Sequence, residues 1–245
     1  MSHDIQGLLA GWEYDPSTVK ARWIDGDDGR RKVQLRLDIG VLQMETTGRP
    51  DGRSPHGCAS LLEFYRGGGR ASGDAERRDL GPEACVEIQQ EAVQYYHRYL
   101  AYSSLRHTEG VIADTDHNLA LLDLVRRRAV EPEMAWPLLQ FFPYVRMTNA
   151  RARAERLSAA GRPGAAIEAV ESAMEDIRAF SAEHHLPDIA SPLAEADSLN
   201  DLLVDLRRAQ PLTLRDRLER DMADAIARED FEKAAVLRDE LRRIA

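Results

Sequence analysis

Carboxylates close together in the chain are the first place to look for cation chemistry. Asp25, Asp27 and Asp28 stand in one short run closed by Gly29. A calcium loop of the EF-hand kind needs an oxygen ligand where Gly29 stands and a glutamate further on, so the run reads as turn chemistry. Asp114 and His117 lie at i, i+3, which puts a carboxylate and an imidazole on one helical face. No second acid or histidine at matching spacing completes a metal site, and a solvated helix face is the expectation. His184, His185 and Asp188 read as a helix end, where imidazole complements the helix dipole. Arg126, Arg127 and Arg128 read the same way. Cys58 follows His56 closely, a thiol beside a base. That string is too local to align a nucleophile, a base and a third orienting group. Trp12, Trp23, Asp38, Gln43, Glu45, Arg49, Asp51 and His56 crowd the N-terminal part of the chain. Segments of that composition carry function or make turns and packing, and the second reading is preferred. Tyr95, Tyr99 and Tyr102, with Tyr96 beside them, fall at i, i+4, i+7. They could stack bases or a peptide, and core or groove lining is the plainer expectation.

These residues need elements to hold them. The chain has 245 residues, which allows one large domain or two small ones. With 43% hydrophobic and 31% charged residues it can pack a core, and its wealth of Ala, Leu, Arg and Glu favours helix. The net charge of −9 makes general nucleic-acid binding unfavourable. Two cysteines build neither a disulfide framework nor a four-thiolate zinc site. The first residues lack a basic start followed by an apolar run. No apolar stretch approaches the roughly 18 residues of a membrane span. The expectation is a soluble, cytoplasmic chain without a cofactor or a metal.

Residues 1–66 read as a small α+β element. Val19–Ile24 and Val33–Leu37 alternate apolar and polar around an Asp/Gly turn, a β-hairpin pattern. Ile39–Glu45 extends the second strand past Gly40 or begins a third, and Ala59–Tyr65 reads as a short helix. Residues 67–82, rich in glycine and charge, read as a linker or loop. Residues 83–210 read as a helical domain. Val86, Val93, Tyr96 and Leu100 are expected to form the apolar stripe of its first helix. Further helices are expected near 109–129, 138–160, 165–184 and 194–209, with Pro132 and Pro137 ahead of the third. Ala150, Ala154 and Leu157, then Ala166, Val170 and Ala173, flank a Gly161–Gly164 turn. Small residues at such places let two helices approach closely, as in a tetratricopeptide repeat, and the helices at 83–129 suggest a second, degenerate unit.

Residues 211–245 carry the strongest pattern. Thr213 and Asp216 suit a helix start, followed by a stripe of Leu214, Leu218, Met222 and Ala225. Asp230 suits the start of a second helix, with Phe231, Ala234, Ala235 and Leu241 as its stripe. Val236, Leu237 and Ile244 are left to offer a second surface. The short turn forces the two helices to run antiparallel. Leu218, Met222, Ala225, the run Asp230-Phe231-Glu232, the pair Ala234-Ala235 and the run Leu237-Arg238-Asp239 resemble the UVR motif of the excision-repair proteins UvrB and UvrC. The resemblance implies a protein–protein contact module. Leu218, Met222, Ala225, Phe231, Glu232, Ala235, Leu237, Arg238, Asp239 and Leu241 are its candidate partner-binding residues. A unit this small buries too little apolar surface to be stable alone and needs a partner surface or the rest of its own chain. Eight basic and nine acidic residues intersperse over 212–245, the pattern of a solvated face rather than a phosphate grip.

The catalytic parts of the motif's best-known owners do not accompany it. Lys20, Lys32 and Lys233 are the three lysines, and none follows a glycine as a phosphate-binding loop requires. The Gly-Ile-Tyr and Tyr-Ile-Gly strings of the UvrC nuclease are missing. So are the paired cysteines of the UVR-bearing activators of bacterial protein arginine kinase. The expectation is a mainly α protein: a TPR-like helical bundle, a small N-terminal β-element and a C-terminal antiparallel helical hairpin. Its expected role is a non-enzymatic adaptor or regulator, linked through the motif to nucleotide excision repair. Its expected partner is a UvrB-like or UvrC-like protein, or a second copy. The alternative is a small-molecule or metal-dependent enzyme with its site between the β-element and the helices.

Overall fold

In a computed structural model, residues 4–67, 79–184, 192–209 and 214–243 are described. The chain is mainly helical, with a small N-terminal sheet and a C-terminal helical hairpin. It divides into two units, Met1–Leu203 and Val204–Ala245. The expected linker at 67–82 lies largely outside the described residues. Its end is not loose: Leu80 is fully buried, donates its amide to the Arg128 carbonyl and accepts from the Val130 amide.

The first unit opens with a short helix, α1 (Gln6–Leu9), and an antiparallel meander, β1 (Ala21–Asp25), β2 (Arg31–Leu37) and β3 (Gly40–Glu45), in that spatial order. Ile39–Glu45 therefore makes a third strand, entered through a tight turn in which Ile39 stands in solvent. Alternation sends Val33, Leu35 and Met44 to one face, where they pack on helical side chains. The opposite face carries a polar ladder. Arg22 Nε donates to Gln34 Oε1 at 2.8 Å, and Gln34 Nε2 donates to Gln43 Oε1 at 2.9 Å. The register places these three residues side by side.

Helix α2 (Leu61–Tyr65) leads to α3 (Pro82–Ser104), α4 (Thr108–Arg128), α5 (Pro132–Leu139), α6 (Phe142–Ala159), α7 (Pro163–Glu183) and α8 (Pro192–Ala209). Three sequence expectations need correction here. The buried stripe of α3 is Cys85, Ile88, Ala92, Tyr95, Tyr99 and Tyr102, while Val86 and Val93 are about half exposed. The tyrosines, not the valines, face the sheet and α4. The expected helix at 138–160 is two helices, broken at Gln140–Phe141. Pro132 starts α5 and Pro137 lies inside it, so neither proline stands outside a helix. A proline at the first turn costs no hydrogen bond, and the α5 helix is too short for Pro137 to break much.

The α6–α7 pair packs as its small residues suggest. Ala150, Ala154, Ala166, Val170 and Ala173 are all buried. In the second unit, α9 (Leu214–Ala227) packs on α10 (Phe231–Arg243).

One turn device closes three helix pairs. The connectors Leu105–His107, Ala160–Arg162 and Arg228–Asp230 are equally long. In each the last amide reaches back five residues, His107 to Tyr102, Arg162 to Leu157 and Asp230 to Ala225, at 2.8–2.9 Å. In each the middle residue bonds three residues back and has positive φ: Arg106 at 55°, Gly161 at 70° and Glu229 at 60°. This is the Schellman ending, which satisfies the free carbonyls of the first helix. The third residue then begins the next helix, so the chain reverses with no spare residue.

Candidate protein-interaction site

The α9–α10 hairpin holds itself together through one narrow seam. Leu218, Ala225, Ala234 and Leu237 are buried there, with Met222 and Leu241 packed against them. The alanines let the two backbones come close. The Lys233 amide donates to Asp230 Oδ1 at 3.1 Å, the N-cap expected for α10. The expected cap by Thr213 and Asp216 lies outside the described side chains, as does Ile244.

Two of the expected positions are reversed. Phe231, expected in the stripe, is 68% exposed, and Leu237, expected on the outer surface, is 9% exposed. The seam of α10 runs Ala234, Leu237, Leu241, an i, i+3, i+7 spacing that leaves Phe231 to one side. Phe231 also opens α10. A helical Cβ tilts toward the N-terminus, so this ring points past the hairpin tip, where α9 has already ended. Near the tip Ile226 is 51% exposed, and on the outer face of α10 Val236 is 55% exposed. Ala235 is half-buried, and Glu232, Arg238 and Asp239 are exposed. Arg238 Nη2 meets Asp239 Oδ1 at 2.9 Å, an exposed pair of little energetic weight by itself.

The N-terminal residues that suggested an alternative site are largely spent on one another and on α3. Arg22 lies 4.1 Å over the Trp12 ring. Trp23 packs on Tyr102 and His107. Glu45 Oε1 binds Lys32 Nζ at 2.6 Å, and Asp51 binds Arg49 and Gln94. The side chain of Asp38 accepts from the Ile39 amide. His56 stacks on Phe64, and Cys58 is buried with its thiol near the His56 carbonyl rather than the ring. Asp28 accepts from the Arg30 amide and pairs with Arg30 and Lys32, as a hairpin turn demands.

Asp114 and His117 are not on a solvated face. Asp114 is 2% exposed and His117 half-buried, and both turn inward toward α3. Asp114 forms a two-point ion pair with Arg98. Burial lowers the Arg98 pKa, but the hydrogen bonds and charge of Asp114 outweigh it and raise the value overall. The guanidinium also donates to the carbonyls of Glu45 and Gly48, tying the sheet to the helices.

Glu91 is fully buried. It accepts from the Leu61 amide, caps the start of α2 and meets His117 Nε2 at 3.0 Å, with Arg49 at 3.4 Å. The His117 ring stacks on Tyr95 at 3.6 Å. Burial raises the Tyr95 and Tyr99 phenols far above their usual range and pushes Tyr102 up to about 12, so all three stay neutral.

Sequence reasoning missed Glu91 and Arg98, and also the buried Asn118 and Asn149, which donate to the Ala92 carbonyl and to Thr115 Oγ1. A signal existed: Glu91 and Arg98 sit at stripe positions of α3, three or four residues from Ile88, Tyr95 and Tyr102. Antiparallel pairing about the Arg106 turn brings 91 opposite 117 and 98 opposite 114. Among the described residues, no group of three or more His, Cys, Asp or Glu side chains is placed to hold a metal ion. Among them also, no helix is long and apolar enough to cross a membrane.

Comparison with known proteins agrees with the geometry of the tail. No curated protein and no solved structure matches the chain. A protein-family model described as the UvrB/uvrC motif matches residues 213–245, the whole of the α9–α10 hairpin. The C-terminal hairpin of this chain is a UVR motif.

Proposed function

We propose that this protein is a non-enzymatic adaptor whose UVR hairpin pairs with a second UVR hairpin. That second hairpin belongs to a UvrB-like or UvrC-like protein, or to another copy of this chain. The observation that carries the reading is the division of labour on the hairpin. Its own seam is filled by Leu218, Met222, Ala225, Ala234, Leu237 and Leu241, yet Phe231 and Ile226 remain exposed about the turn. Large apolar side chains left exposed near one another outside a completed seam can anchor a protein contact. Phe231 supplies affinity, and Glu232, Arg238 and Asp239 set register through charge. The setting is cytoplasmic excision repair.

The test is capture from native lysate with mass spectrometry, using the full chain, a chain ending at Gln210 and the Phe231→Asp variant. Repair proteins or added copies retained by the full chain alone support pairing. Phe231 is exposed in the hairpin, so the variant keeps its helical circular dichroism while losing the partner. Equal capture by all three proteins would overturn the assignment.

A further inference from the structure

The first unit holds a cavity of about 490 Å³ bounded by α3, α4 and the α5–α6 corner, a size that suits a small molecule. Val93 and Leu122 belong to its apolar wall, and Tyr96 and Tyr144, with ring centroids 6.3 Å apart, to its aromatic one. Among the described residues that line it, none is a lysine, arginine or histidine. Among those residues the charged one is Glu195 of α8; burial above all raises the Tyr144 phenol pKa, with Tyr96 and then Glu195 adding to it.

Asn118 on α4 also lines this cavity and is 4% exposed. Its Nδ2 donates to the Ala92 carbonyl at 3.0 Å. That bond fixes the orientation of the amide, because turning it over would set oxygen against oxygen. Asn118 Oδ1 is then a buried acceptor, and among the described residues no donor reaches it. Buried acceptors are almost always satisfied, and a ligand that brings a donor removes a cost the empty protein carries.

We propose that this cavity binds a small aromatic amine. The flat apolar body lies against Tyr96, Tyr144 and the aliphatic wall. An N–H donates to Asn118 Oδ1. With the carboxylate of Glu195 on the lining and no cation among the described lining residues, a positive ligand is favoured over a negative one. This site is independent of the UVR hairpin and stands or falls without it.

The test uses the full chain, with tryptamine as probe and indole-3-acetate as its anionic counterpart. Binding is read by calorimetry and by the shift of the melting temperature. Tryptamine is expected to bind and to raise Tm, and indole-3-acetate to bind at least about tenfold more weakly. Asn118→Leu removes the acceptor, and weakens tryptamine by about three- to tenfold while Tm without ligand stays level or rises. Val93→Trp fills the mouth from a half-exposed position and abolishes binding, which keeps the test intact if Asn118→Leu fails to fold. No heat and no shift at ~10 mM tryptamine would overturn the proposal. So would unchanged affinity in a folded variant, or equal affinity for the acid.

Discussion

Arg98 and Asp114 meet inside the helical unit through two parallel hydrogen bonds, Nε to Oδ2 at 2.8 Å and Nη2 to Oδ1 at 2.6 Å. Their side chains are 5% and 3% exposed. A buried pair of this kind is worth little against an apolar pair, but costs a great deal to break on one side. Here the third arm of the guanidinium also satisfies the Glu45 and Gly48 carbonyls. Asp114→Ala is therefore expected to lower stability by about 3–5 kcal/mol in urea unfolding. If the loss is under about 1 kcal/mol, the pair is not what joins the sheet to α3 and α4.

Gly110 in the first turn of α4 has no room for a side chain. A Cβ there would stand 2.4 Å from Cδ2 of the buried Tyr102, whose ring cannot give way, and 2.4 Å from His107 Nδ1. The Gly110 amide already bonds His107 Nδ1 at 3.0 Å. Gly110→Ala is expected to cost about 1–3 kcal/mol, with the loss visible in the thermal midpoint.

The three equal turns make a graded prediction. Left-handed backbone is cheap for glycine and costs other L-residues about 1 kcal/mol or somewhat more. Glu229→Gly and Arg106→Gly should each gain about 0.5–1 kcal/mol, less than the full amount because glycine also loosens the unfolded chain. Gly161→Ala should lose about 1 kcal/mol, although open space surrounds that position. Chemical denaturation of the three variants checks all of these, and a stabilising Gly161→Ala would refute the argument.

Asp28 predicts a pH dependence. Hydrogen bonds from Lys32, from the Arg30 amide and from the Arg30 side chain hold its carboxyl below the usual 3.8. A group whose pKa is depressed by folding contributes stability above its unfolded value, and loses it as pH falls through the folded one. The difference in thermal midpoint between the protein and Asp28→Asn should be constant near neutrality. It should shrink as pH drops below about 4. A difference that widens in acid would mean the turn does not use the carboxylate.

Much of the fold was legible in the chain because it rests on local patterns. The strand alternation around Val33, the helical spacing of Ala166, Val170 and Ala173, and the Asp230 cap each follow from residues close in sequence. Leu218, Met222, Ala225 and Ala234 were read into the hairpin seam on the same ground. The errors over α3 and α10 fell where a helix has two apolar faces to choose between. Val86 and Val93 compose as regular a stripe on α3 as the tyrosines, and Phe231 is as apolar as Leu237. Only the position of the neighbouring helix decides which face is covered.

By itself, then, the sequence determined the helical character, the N-terminal β-hairpin and the UVR hairpin, since each depends on interactions within a few residues, while the third strand was settled only by the structure. The tertiary structure alone decided that Glu91, Arg98, Asp114 and His117 are interior groups. It also decided that Asn118 borders a cavity with an unfilled acceptor, and that Phe231 faces outward. The reason is that burial of a polar group, or exposure of an apolar one, is settled by what packs across from it, often tens of residues away.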